Sequence, residues 1–262
     1  MRREPAVAGA FYPADPTDLR NLVVRLLAEV PEEQAGPPRA VVAPHAGYVY
    51  SGPVAAYAFR ALAPYAGKEP VVWLLGPAHY VAFEGISTGP FTVWRTPLGE
   101  VPVATDRVAE LLAMGPPFVE LAEPHLPEHS LEVELPFLQV VLGSFSLVPL
   151  LFGITDPLAA APQIVRALRP GDLLVVSTDL SHYHPDEVAR RIDAQTLDRA
   201  LHLDAEGVLE SEACGRHPWA ALTAIARERG WRPRLLAYAT SGDTSGDRRR
   251  VVGYAALRYD EP

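Results

Sequence analysis

The sequence has one cysteine, one lysine and no long apolar run, and each scarcity excludes a class of protein. Cys214 cannot form an internal disulfide, so we expect a buried spectator, a reactive thiol or a metal ligand. The apolar runs fall short of the ~18–20 residues of a membrane span, and the N-terminus lacks the apolar part of a signal peptide. These features predict a cytoplasmic protein without a membrane partner. Lys68 is the only lysine among 23 basic residues, which is compatible with coding bias or thermal adaptation and favours coding bias, since hyperthermophile proteins are enriched in lysine.

Clusters of positive charge are scarce as well. The net charge is −9, and the largest basic cluster is the triplet Arg248, Arg249 and Arg250, which is too small to neutralise a phosphate backbone. We therefore expect no nucleic-acid partner. A hydrophobic fraction of 48% is ordinary for a globular protein, and 262 residues lie near the upper limit for one hydrophobic core. Without an internal repeat or a long linker, the chain is predicted to be a single domain over residues 1–262.

Short apolar runs alternate with helical patterns along the chain. Runs typical of strands buried on both faces cover residues 39–43, 71–75, 146–152 and 173–177. Helical patterns cover residues 14–30, 54–62, 106–114, 131–142, 157–168, 186–203 and 219–229. This alternation predicts an α/β fold with a mostly parallel central sheet, flanked by helices through right-handed crossovers.

Two regions depart from this alternation. Residues 86–103 alternate apolar and polar positions around Thr96-Pro97-Leu98-Gly99, which predicts an antiparallel hairpin added to the sheet. Residues 234–239 and 251–259 are predicted to be terminal strands around the Gly-rich stretch 241–247, which is either an anion-binding nest or a turn.

Three predicted strands end close to a histidine: His45, His79 and His182. Ligands bind at the carboxyl ends of strands in open α/β sheets, so we expect a shared polar site there. Proline and glycine beside His45 and His79 would hold these two ligands rigidly. Asp179 lies three residues before His182, so both side chains can face one pocket, with His182 as general acid/base. The alternative is that Asp179 caps a helix and leaves His182 exposed.

The single thiol lies on a predicted turn before a helix, in a polar stretch. A helix N-terminus with Arg216 nearby would lower the pKa of Cys214, and the thiolate is the form that binds metals or attacks substrates. Together with His45 and His79, it could hold Fe(II), Cu or Zn with an open coordination position. A buried spectator cysteine remains the alternative. His129 and Glu132 can be explained as residues at the start of a helix that Ser130 would cap.

The motifs that carry these residues occur in a fixed order along the chain. They are Ala8-Gly9-Ala10-Phe11-Tyr12-Pro13, Pro44-His45-Ala46-Gly47-Tyr48, Gly76-Pro77-Ala78-His79, Arg95-Thr96-Pro97-Leu98-Gly99, Glu128-His129-Ser130-Leu131-Glu132, Ser177-Thr178-Asp179-Leu180-Ser181-His182 and Cys214-Gly215-Arg216-His217-Pro218. In these motifs the chain resembles the Memo family, whose bacterial members are protein B of the AmmeMemoRadiSam system. That family is related in fold to the class III extradiol dioxygenases.

The resemblance implies a role for each site residue. The family's metal ligands fall on His45, His79 and Cys214, and its additional pocket residues fall on Asp179 and His182, which we expect to be catalytic. Phe11, Tyr50 and His129 are the expected substrate-binding residues, and Phe11 stands where the animal members have tryptophan. The resemblance also implies a radical-SAM enzyme and an AMMECR-type protein as partners.

Three functions are compatible with these residues. The first is a non-haem, oxygenase-like redox enzyme that uses Fe(II) or Cu on an unknown substrate, although a cysteine in place of the extradiol carboxylate argues against ordinary catechol cleavage. The second is a binding module that recognises a peptide or partner protein through the same cleft. The third is a metal-free enzyme with Cys214 as nucleophile. The sequence leaves the oligomeric state open.

Overall fold

The computed structural model describes residues 1–32 and 35–262. In chain order, the strands are β1 (Arg2–Arg3), β2 (Ala40–Ala43), β3 (Val71–Pro77), β4 (Ile86–Ser87), β5 (Val93–Thr96), β6 (Gly99–Pro102), β7 (Phe118–Val119), β8 (Ser146–Phe152), β9 (Leu173–Ser177), β10 (His182–His184), β11 (Arg232–Thr240) and β12 (Val251–Asp260). The α-helices are α1 (Pro16–Ala28), α2 (Tyr48–Arg60), α3 (Thr105–Ala113), α4 (Leu135–Leu142), α5 (Pro157–Ala167), α6 (Asp186–Leu201), α7 (Ala205–Leu209), α8 (Arg216–Arg229) and α9 (Ser241–Ser245). Short 3-10 turns cover Ala63–Tyr65, Glu123–His125 and Glu132–Glu134.

The middle of the main sheet is parallel. Strands β2, β9, β3 and β8 lie side by side in that order, and each neighbouring pair is parallel. Strand β12 runs antiparallel to β2 and carries β10 and β11, while β4 and β7 extend the other edge beyond β8. The central strands are almost entirely buried because helices cover the sheet. The structure therefore confirms the predicted mixed α/β fold with a mostly parallel centre.

The predicted hairpin forms, but not where it was expected. Strands β5 and β6 pair antiparallel with Thr96 opposite Gly99, as the turn sequence predicts. Their third partner is the N-terminal β1, so the hairpin belongs to a separate three-stranded sheet. The expectation that the whole segment extends the central sheet was wrong: only its first residues, as β4, pair with β8, and beyond β6 the contact is an isolated bridge from Val103 to Leu147.

Several helix boundaries differ from the prediction. Helix α2 begins six residues earlier than predicted, at Tyr48, with Pro53 inside it. The predicted helix over 131–142 divides into a 3-10 turn and α4, and Ser130 does not cap it, because its hydroxyl donates to the carbonyl of Pro77 instead. The stretch 241–247 contains the short α9 rather than a nest or simple turn. His182 begins a strand, so the helix-cap alternative for Asp179 was wrong.

The topology places the histidine-bearing loops together. Strands β2, β3 and β9 are parallel neighbours, so their carboxyl ends, at Ala43, Pro77 and Ser177, lie at the same edge of the sheet. His45 and His79 follow the first two strands directly. In the described part of the chain, no helix combines the length and hydrophobicity that a bilayer crossing requires.

Candidate metal centre

Three imidazoles converge at this edge of the sheet. His45 and His79 come from the loops after β2 and β3, and His129 comes from the loop before the Glu132–Glu134 turn. One ring nitrogen of each lies within 4.8 Å of the others. A transition-metal ion with bonds of ~2.1 Å joins nitrogens up to ~4 Å apart, so small side-chain rotations would bring the three onto one ion.

A hydrogen-bond chain fixes the tautomer of His45. The Ser177 hydroxyl donates its only proton to the carbonyl of Ser130, at 2.6 Å. Ser177 must therefore accept the hydrogen bond from His45 Nδ1, which is 2.7 Å away. Burial, reinforced by the charge of His79, holds the pKa of His45 well below its usual value. His45 is thus neutral, with the lone pair of Nε2 available to a ligand.

Glu128 plays the corresponding role for His79. Its carboxylate lies 2.9 Å from His79 Nδ1 and also accepts the backbone N–H groups of His79, His129 and Ser130. Burial opposes ionisation, but the hydrogen bonds from His79 and Ser130 lower the pKa of Glu128 to about 2. The ionised carboxylate accepts from Nδ1, so Nε2 of His79 is also free to bind a metal.

His129 stacks on His79, with ring centroids 4.8 Å apart. Phe11 lies against its ring at the same centroid distance, and Tyr80 follows at 5.7 Å. Burial lowers the pKa of His129 to about 4, despite the nearby charge of Glu128. Its buried Nδ1 has no hydrogen-bond partner within residues 1–32 and 35–262, so this imidazole is neutral and less firmly held than the other two.

Cys214 approaches the cluster from the loop before α8. Its Sγ lies 3.3 Å from His45 Nε2 and accepts the backbone N–H of Asp179 at 3.2 Å. Gly215 lets this loop pack tightly, because a Cβ there would lie 2.5 Å from the side chain of Thr178. Burial and the charge of Asp179 raise the pKa of Cys214 to about 12. The expectation that Arg216 and the helix N-terminus lower this pKa was therefore wrong.

Asp179 and His182 have different surroundings, Asp179 in the segment after β9 and His182 at the start of β10. The buried Asp179 carboxylate accepts the backbone N–H of His45 at 2.9 Å, and burial raises its pKa to about 7. Among the described residues, Asp179 makes no hydrogen bond to His182. His182 is partly buried, and burial together with the charge of His79 lowers its pKa.

The two predicted aromatic residues both lie near Gly47, at the start of α2. A Cβ at Gly47 would lie 3.6 Å from the Phe11 carbonyl and 3.9 Å from the Tyr50 ring. Tyr50 is 44% exposed, whereas Phe11 is partly buried against His129. Phe11 is thus in ring contact with the histidine cluster, whereas Tyr50 lies on the exposed surface of α2 near Gly47.

Sequence reasoning missed Glu128 and Ser177, the residues that orient the two histidines. Both stand inside the motifs, but the contacts they make span 49 residues to His79 and 132 residues to His45. A single sequence does not indicate which residues form hydrogen bonds with each other when they lie so far apart along the chain. An acidic residue next to His129 was the only hint.

Comparison with known proteins gives consistent matches over the whole chain. The family model for Memo-like protein matches residues 3–258. MEMO1 family proteins of Methanopyrus kandleri and Ignicoccus hospitalis are each 38% identical to the chain, with 99% of both sequences covered. That of Sulfolobus acidocaldarius is also 38% identical, with 100% of both covered. Among solved structures, an uncharacterized protein from Escherichia coli K12 is similar with a TM-score of 0.46 and 14% identity, over 82% of this chain and 98% of that chain.

Proposed function

This chain belongs to the Memo-like protein family, and from that premise we propose that it binds one metal ion, Fe(II) or Cu, through His45, His79 and Cys214 and acts as a non-haem, oxygenase-like oxidoreductase. The observation that supports this proposal most strongly is that His45 and His79 each bring a ring nitrogen within 4.8 Å of the other, while the Cys214 sulfur lies 3.3 Å from Nε2 of His45. His129 is the third imidazole within that distance, and the proposal places it against the substrate instead.

The donor set suits a transition metal. His45 and His79 each use Nδ1 to donate a hydrogen bond, which leaves both Nε2 lone pairs for coordination. The Cys214 sulfur is 3.3 Å from one of these nitrogens, and metal binding would deprotonate it despite its raised pKa. Two imidazoles and a thiolate suit Fe(II) or Cu, and Zn fits the same ligands. When bound, such an ion supplies an open coordination position and, for Fe or Cu, electron transfer.

The surrounding residues have separate tasks in this proposal. Burial lowers the pKa of the partly buried His182, so in this proposal a neutral imidazole there exchanges a proton with a bound substrate. Asp179 fixes the His45 backbone instead of orienting His182, so its role is to position a ligand. Phe11 and Tyr50 offer aromatic contacts on the α2 side, and the His129 ring would contact the substrate between them and His79.

A second function, a binding module, is favoured by the exposed tyrosines near the cluster. Tyr50 is 44% exposed and Tyr80 is 56% exposed, and exposed aromatic side chains are frequent in protein-binding surfaces. The bound molecule would be a peptide or a partner protein, such as the radical-SAM and AMMECR-type proteins of the same system. A metal-free thiol nucleophile is disfavoured, because a Cys214 pKa of about 12 leaves almost no thiolate at neutral pH.

Oxygen consumption by the metal-loaded protein tests the enzyme proposal. We expect anaerobically Fe(II)- or Cu(I)-loaded protein to consume dioxygen with a suitable phenolic or thiol substrate. His182→Ala should keep its metal but turn over about 10²–10⁴-fold more slowly, because it lacks the proton-transfer group. His202→Ala, which changes an exposed histidine of the C-cap of α6, is the matched control.

Two outcomes would contradict this proposal. Metal-loaded wild type that is inert toward oxygen across a broad catechol and thiol panel would favour the binding module. Activity that survives metal removal and is abolished in Cys214→Ser would favour the thiol nucleophile.

A further inference from the structure

A cavity of about 790 Å³ lies next to the proposed metal ligands. Its walls come from residues 77–84, 152–156 and 214–217, and His79 and Cys214 both belong to its lining. Cavities of this volume typically hold small molecules rather than macromolecules. A molecule bound here would contact two of the three proposed ligands directly.

One part of the cavity wall is apolar and well defined. The Phe83 ring packs over Gly153, where a Cβ would lie 2.9 Å from the ring. Phe152 and Ile154 flank this glycine in the same wall, and Ile154 is 60% exposed. A fixed aromatic ring beside an exposed aliphatic side chain suits a flat apolar group, whose binding would remove this surface from water.

The charges around the cavity are unevenly distributed. Segment 214–217 contributes Arg216 and His217 to the lining. The acidic side chains come from the other two segments: Glu84 from 77–84, which also carries His79, and Asp156 from 152–156. The Asp156 carboxylate already accepts the backbone N–H groups at the start of α5. The Arg216 guanidinium makes no hydrogen bond or ion pair with any residue in the ranges 1–32 and 35–262, whereas its backbone N–H donates to the carbonyl of Ala213. An anionic group in the cavity would thus be attracted towards Arg216 and repelled from the opposite segments.

We propose that this cavity binds a small molecule with an aromatic or other apolar body and one anionic group, a carboxylate or a phosphate, which pairs with the Arg216 guanidinium. The Phe83 wall receives the apolar body, and His79 and Cys214 face the part of the molecule that reacts. Because this inference names the substrate class of the proposed metal site, it rests on the proposed function. Arg216 is then a specificity-determining residue, since a guanidinium pairs with either anion through two N–H groups.

Binding of three matched probes tests the inference in the full-length protein. Benzoate, phenyl phosphate and neutral benzyl alcohol would be titrated by NMR or calorimetry into protein freed of metal with a chelator, so that coordination of the anion to a metal cannot contribute. We expect at least one anionic probe to bind about 10-fold more tightly than benzyl alcohol, with a preference that weakens as salt is added. The comparison of benzoate with phenyl phosphate identifies the anion.

Arg216→Gln should remove this preference, about a 10-fold loss for the favoured anion, and leave benzyl alcohol binding unchanged. Arg191→Gln removes the same charge from an exposed position of α6 outside the cavity, so it should bind like wild type. Equal affinity for charged and neutral probes, or equal losses in the two arginine variants, would overturn the inference. Metal content, measured on the same preparations before chelation, tests the proposed function separately, so failure of one is distinguishable from failure of the other.

Discussion

At the scale of single residues, the site depends on how each imidazole is oriented. Glu128 makes four hydrogen bonds to the segments that carry His79 and His129, and its carboxylate is only 2% exposed. A buried carboxylate in this position selects the His79 tautomer and increases the basicity of Nε2. The metal affinity of the site should therefore depend on a residue that does not itself coordinate the ion.

Replacing Glu128 by glutamine tests this dependence. Glutamine is nearly isosteric but uncharged, so we expect Glu128→Gln to weaken metal binding about 10–100-fold. Competition titration with a metallochromic chelator measures the affinity, and Glu120→Gln, an exposed residue of the same region, is the control. If both variants bind metal as tightly as wild type, Glu128 does not tune the His79 ligand.

At the scale of elements, an ion pair and several hydrogen bonds join the N-terminal segment to the loop that carries His129. Arg3 is fully buried and forms an ion pair with Glu132, and its guanidinium also donates to the carbonyls of His125 and Glu128. Glu132 in turn accepts the Tyr12 hydroxyl and the N–H groups of residues 6 and 7. These contacts tie the segment that presents Phe11 to the loop that presents His129.

Replacing Arg3 and its neighbour Arg2 compares the contribution of a buried ion pair to stability with that of an exposed one. Arg3→Met should lower the free energy of unfolding by about 3–5 kcal/mol, because it leaves the Glu132 charge buried without its partner. Arg2 forms an exposed ion pair with Glu100, so Arg2→Met should cost less than about 1 kcal/mol. Urea denaturation measures both values. Equal losses in the two variants would show that the buried ion pair does not fasten the segment.

The elements themselves were predictable wherever the sequence pattern was long. Strands β8 and β9 have the predicted bounds, because their apolar runs end sharply at polar or glycine residues. Helix α8 begins at Arg216, earlier than predicted, because Pro218 is tolerated in the first turn of a helix. Strand β10 was missed because three residues are too few for a periodic pattern, and its pairing with β12 depends on contacts distant in sequence.

At the scale of the whole molecule, the parallel order of β2, β9 and β3 explains why His45 and His79 lie together, whereas the third imidazole of the cluster, His129, comes from a loop outside these strands. The rule that ligands gather at the carboxyl edge of the sheet predicts that His45 and His79 lie together. The pKa of Cys214 could not be predicted in this way. The local sequence suggested a helix N-terminus and Arg216, whereas burial and Asp179, from a different loop, determine its value.

Metal content is the most direct test of the central claim that His45, His79 and Cys214 hold one ion. Protein purified without chelators should contain about one transition-metal ion per chain, and so should the exposed-site control His202→Ala. His45→Ala, His79→Ala and Cys214→Ser should each contain far less, and the Co(II)-loaded wild type should show a thiolate charge-transfer absorption that Cys214→Ser lacks. Equal metal content in wild type, His45→Ala and Cys214→Ser would contradict the account.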